Sequence, residues 1–242
     1  MSQVYGLNQH SLPELKEIAQ KLGLPARRSK SVMISDIAKA FQEYEEYKKE
    51  KLDKYTRHGQ LGQAGKEGTT YLVTSAKGKQ LAMKTFRPKK SSDRLKTEYK
   101  LQKMAYKKGV APKPYDYDIV SKYIVMEKMD HHFFQEQRRQ VTKAEQERII
   151  ELFNKLDEAK VYHNDANLYN YMVKEGQIYL IDYGFAREIT PSLVKKLGTD
   201  RPNYVYMTVG LVIKLKELGF PERSYRHILA HVAEPTRKKF DL

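Results

Sequence analysis

Apolar positions recur along this chain with helical spacing in four stretches, and strand-like alternation fills the intervals between the later ones. Ser11 followed by Glu14 makes a capping box, after which Leu12, Leu15, Ile18, Ala19 and Leu22 form a stripe that Gly23 ends. Met33, Ile34, Ile37, Ala38 and Phe41 give a second stripe, so residues 10–42 read as a helical hairpin. Residues 43–56 are charged, carry spaced tyrosines and lack Gly and Pro, which suits a helical extension or connector.

From residue 57 the period changes. Strands are predicted near 70–75 and 80–86 around a Lys77-Gly78 turn, and near 115–120 and 122–127 around Ser121-Lys122. Between these pairs, residues 92–108 return to helical spacing, with Leu95, Glu98, Leu101, Gln102 and Ala105 near one face. Thr142 and Glu145 make another capping box, and Ile149, Ile150, Leu152, Phe153 and Leu156 mark a long helix with a buried face, ending near Ala159. A strand-like Tyr171-Met172-Val173, a turn at Gly176 and an apolar strand running up to Asp182 follow.

A chain of 242 residues with 40% hydrophobic and 31% charged residues buries a sizeable core. The absence of Cys excludes disulfide scaffolds, thiolate metal sites and cysteine nucleophiles, and fits a reducing compartment. The longest weakly polar stretch, Val205 to Ile213, falls short of the roughly 20 residues a membrane span needs. No basic start with an apolar run marks a signal peptide, so the expectation is an intracellular chain, cytoplasmic or nuclear. The formal charge of +15 favours polyanionic partners, and most of the surplus lies after residue 50.

The densest chemistry lies between His163 and Asn170, with Asp182 twelve residues beyond. Asp165, Asn170 and Asp182, on loops flanking short strands, are the two carboxylates and one carboxamide that metal-assisted phosphoryl transfer requires. Taken alone, Asp165 and Asn170 would also serve to hydrogen-bond a turn. Glu98 is the only Glu between Lys84 and Met126 and lies on the apolar face of its helix. A lone acid there is costly unless paired, which predicts a Lys84–Glu98 ion pair. Gly62, Gly65 and Gly68 precede a strand and offer amides for close approach to phosphate, although an ordinary hairpin turn would use glycines equally well.

Taken in order, these pieces resemble the protein-kinase-like superfamily. Asp165 with Asn170 matches its catalytic loop, Asp182-Tyr183-Gly184 its metal loop with Tyr for Phe, and Gly65 and Gly68 the last two glycines of its phosphate loop. The resemblance implies a two-lobed α+β fold with a reduced C-terminal lobe, preceded by the small helical hairpin. Its divisions are a hairpin at 1–42, a connector at 43–56, an N-lobe at 57–129 and a C-lobe at 130–242. It also implies ATP and Mg2+ as cofactors, with Lys84 on the α/β phosphates and Glu98 orienting it. Asp182 and Asn170 would hold magnesium, Asp165 would accept the hydroxyl proton, and the backbones of Glu127 and Met129, beyond a gatekeeper Met126, would meet adenine.

Departures narrow the resemblance. Asn167 replaces the usual Lys two residues after Asp165, Asn164 replaces the Arg before it, and no Ala-Pro-Glu segment follows. The chain is most similar to compact atypical kinases, the RIO kinases and the small kinase of the KEOPS complex, and the expected acceptor is a protein Ser/Thr hydroxyl. Aminoglycoside phosphotransferases share the same plan, so a small-molecule acceptor stays open, as does a nucleic-acid-binding scaffold with a degenerate nucleotide pocket.

Residues 11–41 resemble a SAP motif, a two-helix DNA-binding module, through Gly23-Leu24-Pro25 and the nearby Arg27, Arg28 and Lys30. A solvated hairpin or a protein-docking module explains the same residues, and with six basic and three acidic residues in its first forty positions this part alone would bind DNA weakly. The basic pairs Lys89-Lys90, Lys107-Lys108 and Arg138-Arg139 and the run Arg237 to Lys239 are read as solvated faces. His131-His132 lacks the spaced ligands of a metal site. The oligomeric state is not legible in the sequence.

Overall fold

The computed structural model describes residues 4–134 and 140–242, which leaves the pair Arg138-Arg139 outside the described residues. The chain divides into two compact units, Met1–Thr56 and Arg57–Leu242.

In the first unit a 3-10 helix (Val4–Gln9) precedes α1 (Leu12–Lys21) and α2 (Lys30–Asp53). The Glu14 carboxylate accepts from both the amide (2.7 Å) and the hydroxyl (2.9 Å) of Ser11, which supplies acceptors where the helix starts. Leu15, Ala19, Met33 and Ile37 close a small core together with Leu7, from a segment whose apolar spacing was too short to register. Leu22 departs from the expected stripe: it caps α1 and is exposed, because the chain turns away at the left-handed Gly23. The second helix does not stop at Phe41 but continues to Asp53, as a Gly- and Pro-free sequence allows. Arg27 pairs with Asp36 (3.3 Å) and Lys30 donates to the Asn8 carbonyl (3.1 Å), so two of the three cations in the connection have partners inside the unit.

The larger unit has the expected mixed α+β build. An antiparallel sheet in the order β1-β2-β3-β5-β4 contains β1 (Tyr55–Gln60), β2 (Gly68–Ser75), β3 (Gln80–Phe86), β4 (Pro114–Asp118) and β5 (Tyr123–Glu127). The first of these strands is absent from the sequence prediction. It is an almost fully exposed edge strand of polar residues, so it carries no alternation to detect. Across the β2–β3 hairpin Thr70 faces Lys84, and across β3–β5 Lys84 faces Ile124. Ala82 and Phe86 lie on the same face as Lys84 by the two-residue period and pack with Leu95 of α3 (Ser92–Tyr106), which aims the lysine at that helix.

The second part is built around α4 (Lys143–Glu158), whose Ile149, Phe153 and Leu156 are buried with Tyr171 and Leu180. Its strands are short: β6 (His131–His132) pairs with β8 (Tyr171–Lys174), β8 with β9 (Gln177–Leu180), and β7 (Val161–Tyr162) with β10 (Arg187–Glu188). The β8–β9 turn places Glu175 and Gly176 both at positive φ, as a two-residue hairpin requires. A π-helical turn (Asn203–Met207) and helices α5 (Pro191–Leu197), α6 (Thr208–Glu217), α7 (Arg226–Leu229) and α8 (Glu234–Phe240) complete it. Among the described residues no helix is long and apolar enough to cross a membrane.

Candidate active site

The site forms where β3 and α3 meet the loops after β7 and β9. Lys84 Nζ lies 2.7 Å from Glu98 Oε1 and 2.7 Å from Asp182 Oδ1, so one buried ammonium ties the sheet, the helix and the loop at Asp182 together. Burial works against its charge, but the two carboxylates outweigh it and hold the lysine above its ordinary value. Asp182 responds in the opposite sense. Close packing raises its carboxyl, yet Lys84 and the Gly184 amide, 3.2 Å from Oδ1, outweigh that and hold it below the usual range.

Asp165 is fixed by two hydrogen bonds, Oδ1 accepting from the Asn167 amide (3.0 Å) and Oδ2 from Asn170 Nδ2 (2.9 Å). With Nδ2 committed, Asn170 keeps Oδ1 as an oxygen donor for an ion. The Ile181 amide donates to the Asn170 carbonyl at 2.9 Å, which brings Asn170 beside the strand that delivers Asp182. A carboxylate oxygen and an amide oxygen on adjoining loops are hard donors, and this set fits magnesium.

Two non-glycine residues of the site have a left-handed backbone. Asn164 (φ 63°) and Asp182 (φ 64°) are both left-handed, a conformation that short polar side chains tolerate best. Asn164, which replaces the expected Arg, thus gives the loop its bend. His163 is buried beneath it, with Nδ1 3.1 Å from the Asp165 carbonyl and Nε2 3.0 Å from the Ile181 carbonyl. Burial pushes its imidazole below the ordinary value against the pull of these carbonyls, and the ring spans the two loops.

Other expected residues are placed differently. The Gly65 amide already donates to the Gly68 carbonyl (2.9 Å), and Gly68 opens β2 opposite Phe86. A Cβ on Gly68 would lie 2.1 Å from the Thr85 carbonyl oxygen, so the close approach of two strands requires this glycine whatever binds the loop. The Glu127 amide is taken by the Lys113 carbonyl (2.8 Å), which leaves its carbonyl as the backbone group it can offer a base. The Met129 amide has no acceptor among the described residues, and its side chain is buried.

Four residues of this region escaped the sequence reading. Lys90, taken for part of a solvated basic pair, is buried, with Nζ 2.9 Å from Glu98 Oε2 and 2.7 Å from Glu67 Oε2. Glu67, Glu98 and Asp182 consequently bring carboxylate oxygens within 4.8 Å of one another, around the two ammoniums. Asp157 accepts from the amides of Asn203 (2.9 Å) and Tyr204 (2.9 Å) and from Asn203 Nδ2 (2.6 Å), while Asn203 Oδ1 accepts from the His163 amide (2.9 Å). That relay anchors the catalytic loop to the core. A signal for Asp157 existed: it lies one turn after Phe153 on the buried face of α4, the same anomaly that singled out Glu98.

No curated protein matches the chain. The family model of the RIO domain matches residues 94–192, a span that runs from the helix bearing Glu98 through Asp165 and Asn170 to the metal loop at Asp182. The RIO domain belongs to atypical kinases that are ATP-dependent, normally with Mg2+. Over residues 94–192 the chain is thus similar to the RIO-type, atypical protein-kinase-like family.

Proposed function

We propose that the chain transfers the γ-phosphoryl group of ATP to serine or threonine hydroxyls of a protein. The observation that carries this reading is the Lys84 ammonium bridging Glu98 and Asp182, beside an Asp165 whose two oxygens are already oriented. In this reading Lys84, held by Glu98, positions the phosphates. Asp182 and Asn170 supply oxygens to magnesium, whose charge offsets that developing on the transferred group. Asp165 Oδ1 and Oδ2 retain lone pairs beyond the two hydrogen bonds that fix them, so the carboxylate accepts a hydrogen bond from the acceptor hydroxyl and takes its proton as the new P–O bond forms and the bond from the γ-phosphorus to the bridging oxygen breaks, with ADP leaving. Residues 11–41 enter the proposal as a nucleic-acid tether, supported by the exposed Arg27, Arg28 and Lys30. Since Arg27 and Lys30 already have partners, binding by this module is expected to be weak and salt-sensitive.

The test is phosphate transfer from labelled ATP, with and without magnesium, to a basic protein substrate, comparing wild type with Asp165→Ala and Asp182→Ala. Label should appear on Ser or Thr of the protein, require magnesium, and nearly vanish in both variants. Full activity in either variant would overturn the assignment, and label appearing only in the low-molecular-weight fraction would make the acceptor a small molecule.

A further inference from the structure

The charges of the site form one alternating chain, Glu67–Lys90–Glu98–Lys84–Asp182, in which every link is between 2.7 and 2.9 Å. Glu98 stands at its centre and gives one oxygen to each lysine. The reaction assigned above uses Lys84, Glu98 and Asp182, and leaves Lys90 and Glu67 without a task.

Lys90 is built in firmly. Its amide donates to the Arg87 carbonyl (3.0 Å), Lys122 Nζ holds its carbonyl (2.7 Å), and its ammonium lies 4.9 Å from the centre of the Phe86 ring, as Lys84 does at 5.1 Å. Asp182 ends the chain on one side with its side chain 43% exposed, and Glu67 ends it on the other. Its side chain is 31% exposed against 5% for Lys90, and it leaves a loop whose residues 62–66 are exposed. Its carboxylate also lies against the metal loop, because a Cβ on Gly184 would come within 2.7 Å of Glu67 Oε2. An anion therefore sits between the glycine loop and Asp182, in the space through which phosphates must reach Lys84.

We infer that Lys90 is a second phosphate-binding lysine and that Glu67 is an internal competitor for it, displaced into solvent when a nucleoside triphosphate binds. The inference rests on the phosphotransferase reading. A buried ammonium always needs an anion. Glu98 supplies one in either arrangement, and a phosphate oxygen replaces Glu67 as the other, while Glu67 regains hydration at little cost because it is already partly exposed. Three carboxylates against two ammoniums leave the cluster one negative charge in excess, and expulsion of Glu67 removes the charge most opposed to an incoming phosphate.

The experiment is direct titration of the full chain with a fluorescent ATP analogue, read by polarisation with and without magnesium, beside a thermal melt of each variant. Glu67→Gln should bind several-fold more tightly than wild type in both conditions. Lys90→Met should bind at least about tenfold more weakly, as expected when a charge-assisted hydrogen bond is lost, with Lys90→Arg recovering much of the affinity. Adding Glu67→Gln to Lys90→Met should then bring a smaller gain than it brings in wild type. A Glu67→Gln protein that binds with unchanged or lower affinity overturns the inference even if Lys90→Met fails to fold, and weakening confined to magnesium would make Glu67 an ion ligand instead. Wild type that binds the analogue, paired with no gain in Glu67→Gln, sinks the inference alone. Wild type and Glu67→Gln that both fail to bind sink the phosphotransferase reading with it.

Discussion

Lys84 Nζ and Asp182 Oδ1 lie 2.7 Å apart although 98 residues separate them in sequence. The contact joins a central strand of the five-stranded sheet to the loop after β9, so sheet and loop meet through a charge pair at this point. Its strength is set by protonation.

Asp182 gives that dependence a sign. Its folded carboxyl lies below the value of 3.8 taken for the free side chain. The ion pair thus contributes stability that is present above pH 3.8 and is lost as the pH falls through the lower folded value. Urea unfolding over a series of pH values from about 5 to about 2.5 should show wild type losing stability more steeply at the acid end than Asp182→Asn. Superimposable profiles would mean that the pair adds nothing.

Replacing Lys84 should destroy turnover while costing less stability than a broken buried ion pair usually does. Such a break typically costs about 3–5 kcal/mol because a partner is stranded. Here Glu98 keeps Lys90, so Lys84→Met is expected to lose only about 1–2 kcal/mol. Denaturant titration checks this, and the double variant Lys84→Met/Lys90→Met, which strands Glu98, should lose markedly more than either single change.

The glycines at 65 and 68 should behave differently. A methyl group at Gly68 meets the Thr85 carbonyl oxygen at 2.1 Å and forces β2 from β3, at a cost of about 1–3 kcal/mol or more. At Gly65 the nearest atom would be 3.5 Å away, which is ordinary contact. Thermal melts should therefore show a clear drop for Gly68→Ala and little for Gly65→Ala.

Tyr183 carries a hydroxyl that is buried without a hydrogen-bond partner, and its ring packs edge-on against His163 with centroids 4.9 Å apart. Tyr183→Phe keeps the ring contact and removes the stranded group, so it should be neutral or stabilising by up to about 1 kcal/mol. A loss of stability in the melt would show that the hydroxyl is satisfied in solution.

Asn203 holds the loop that carries Asp165 by accepting from the His163 amide. Asn203→Ala frees the His163 amide and removes one of the donors to Asp157, at a cost of about 2–4 kcal/mol. Because the side chains proposed to bind the nucleotide are untouched, kcat should fall while KM for ATP changes little. A parallel rise in KM would mean that the effect spreads to Lys84 and Asp182.

Much of this protein was legible before its coordinates. Strands β2, β3 and β5 and helices α3 and α4 followed from their periods, and both capping boxes from residues three apart. Glu98 announced itself as an acid on an apolar helix face, and the spacings of Asp165, Asn170 and Asp182 were enough to suggest phosphoryl transfer. The two-residue strands β6, β7 and β10 and the exposed strand β1 were too short or too polar to carry a period, and the helices after residue 190, the apolar α6 among them, were not read from the sequence.

Local sequence determines which face of an element is apolar, and hence which charged residue must find a partner. It does not determine which partner. Lys90 looks like any surface lysine in Arg87-Pro88-Lys89-Lys90, and only the fold seals it against Phe86, with Glu67 and Glu98 at its two sides. The physical reason is that a buried charge is satisfied by whatever group the tertiary path brings within about 3 Å, and that path is settled by the packing of the whole core rather than by any neighbour along the chain.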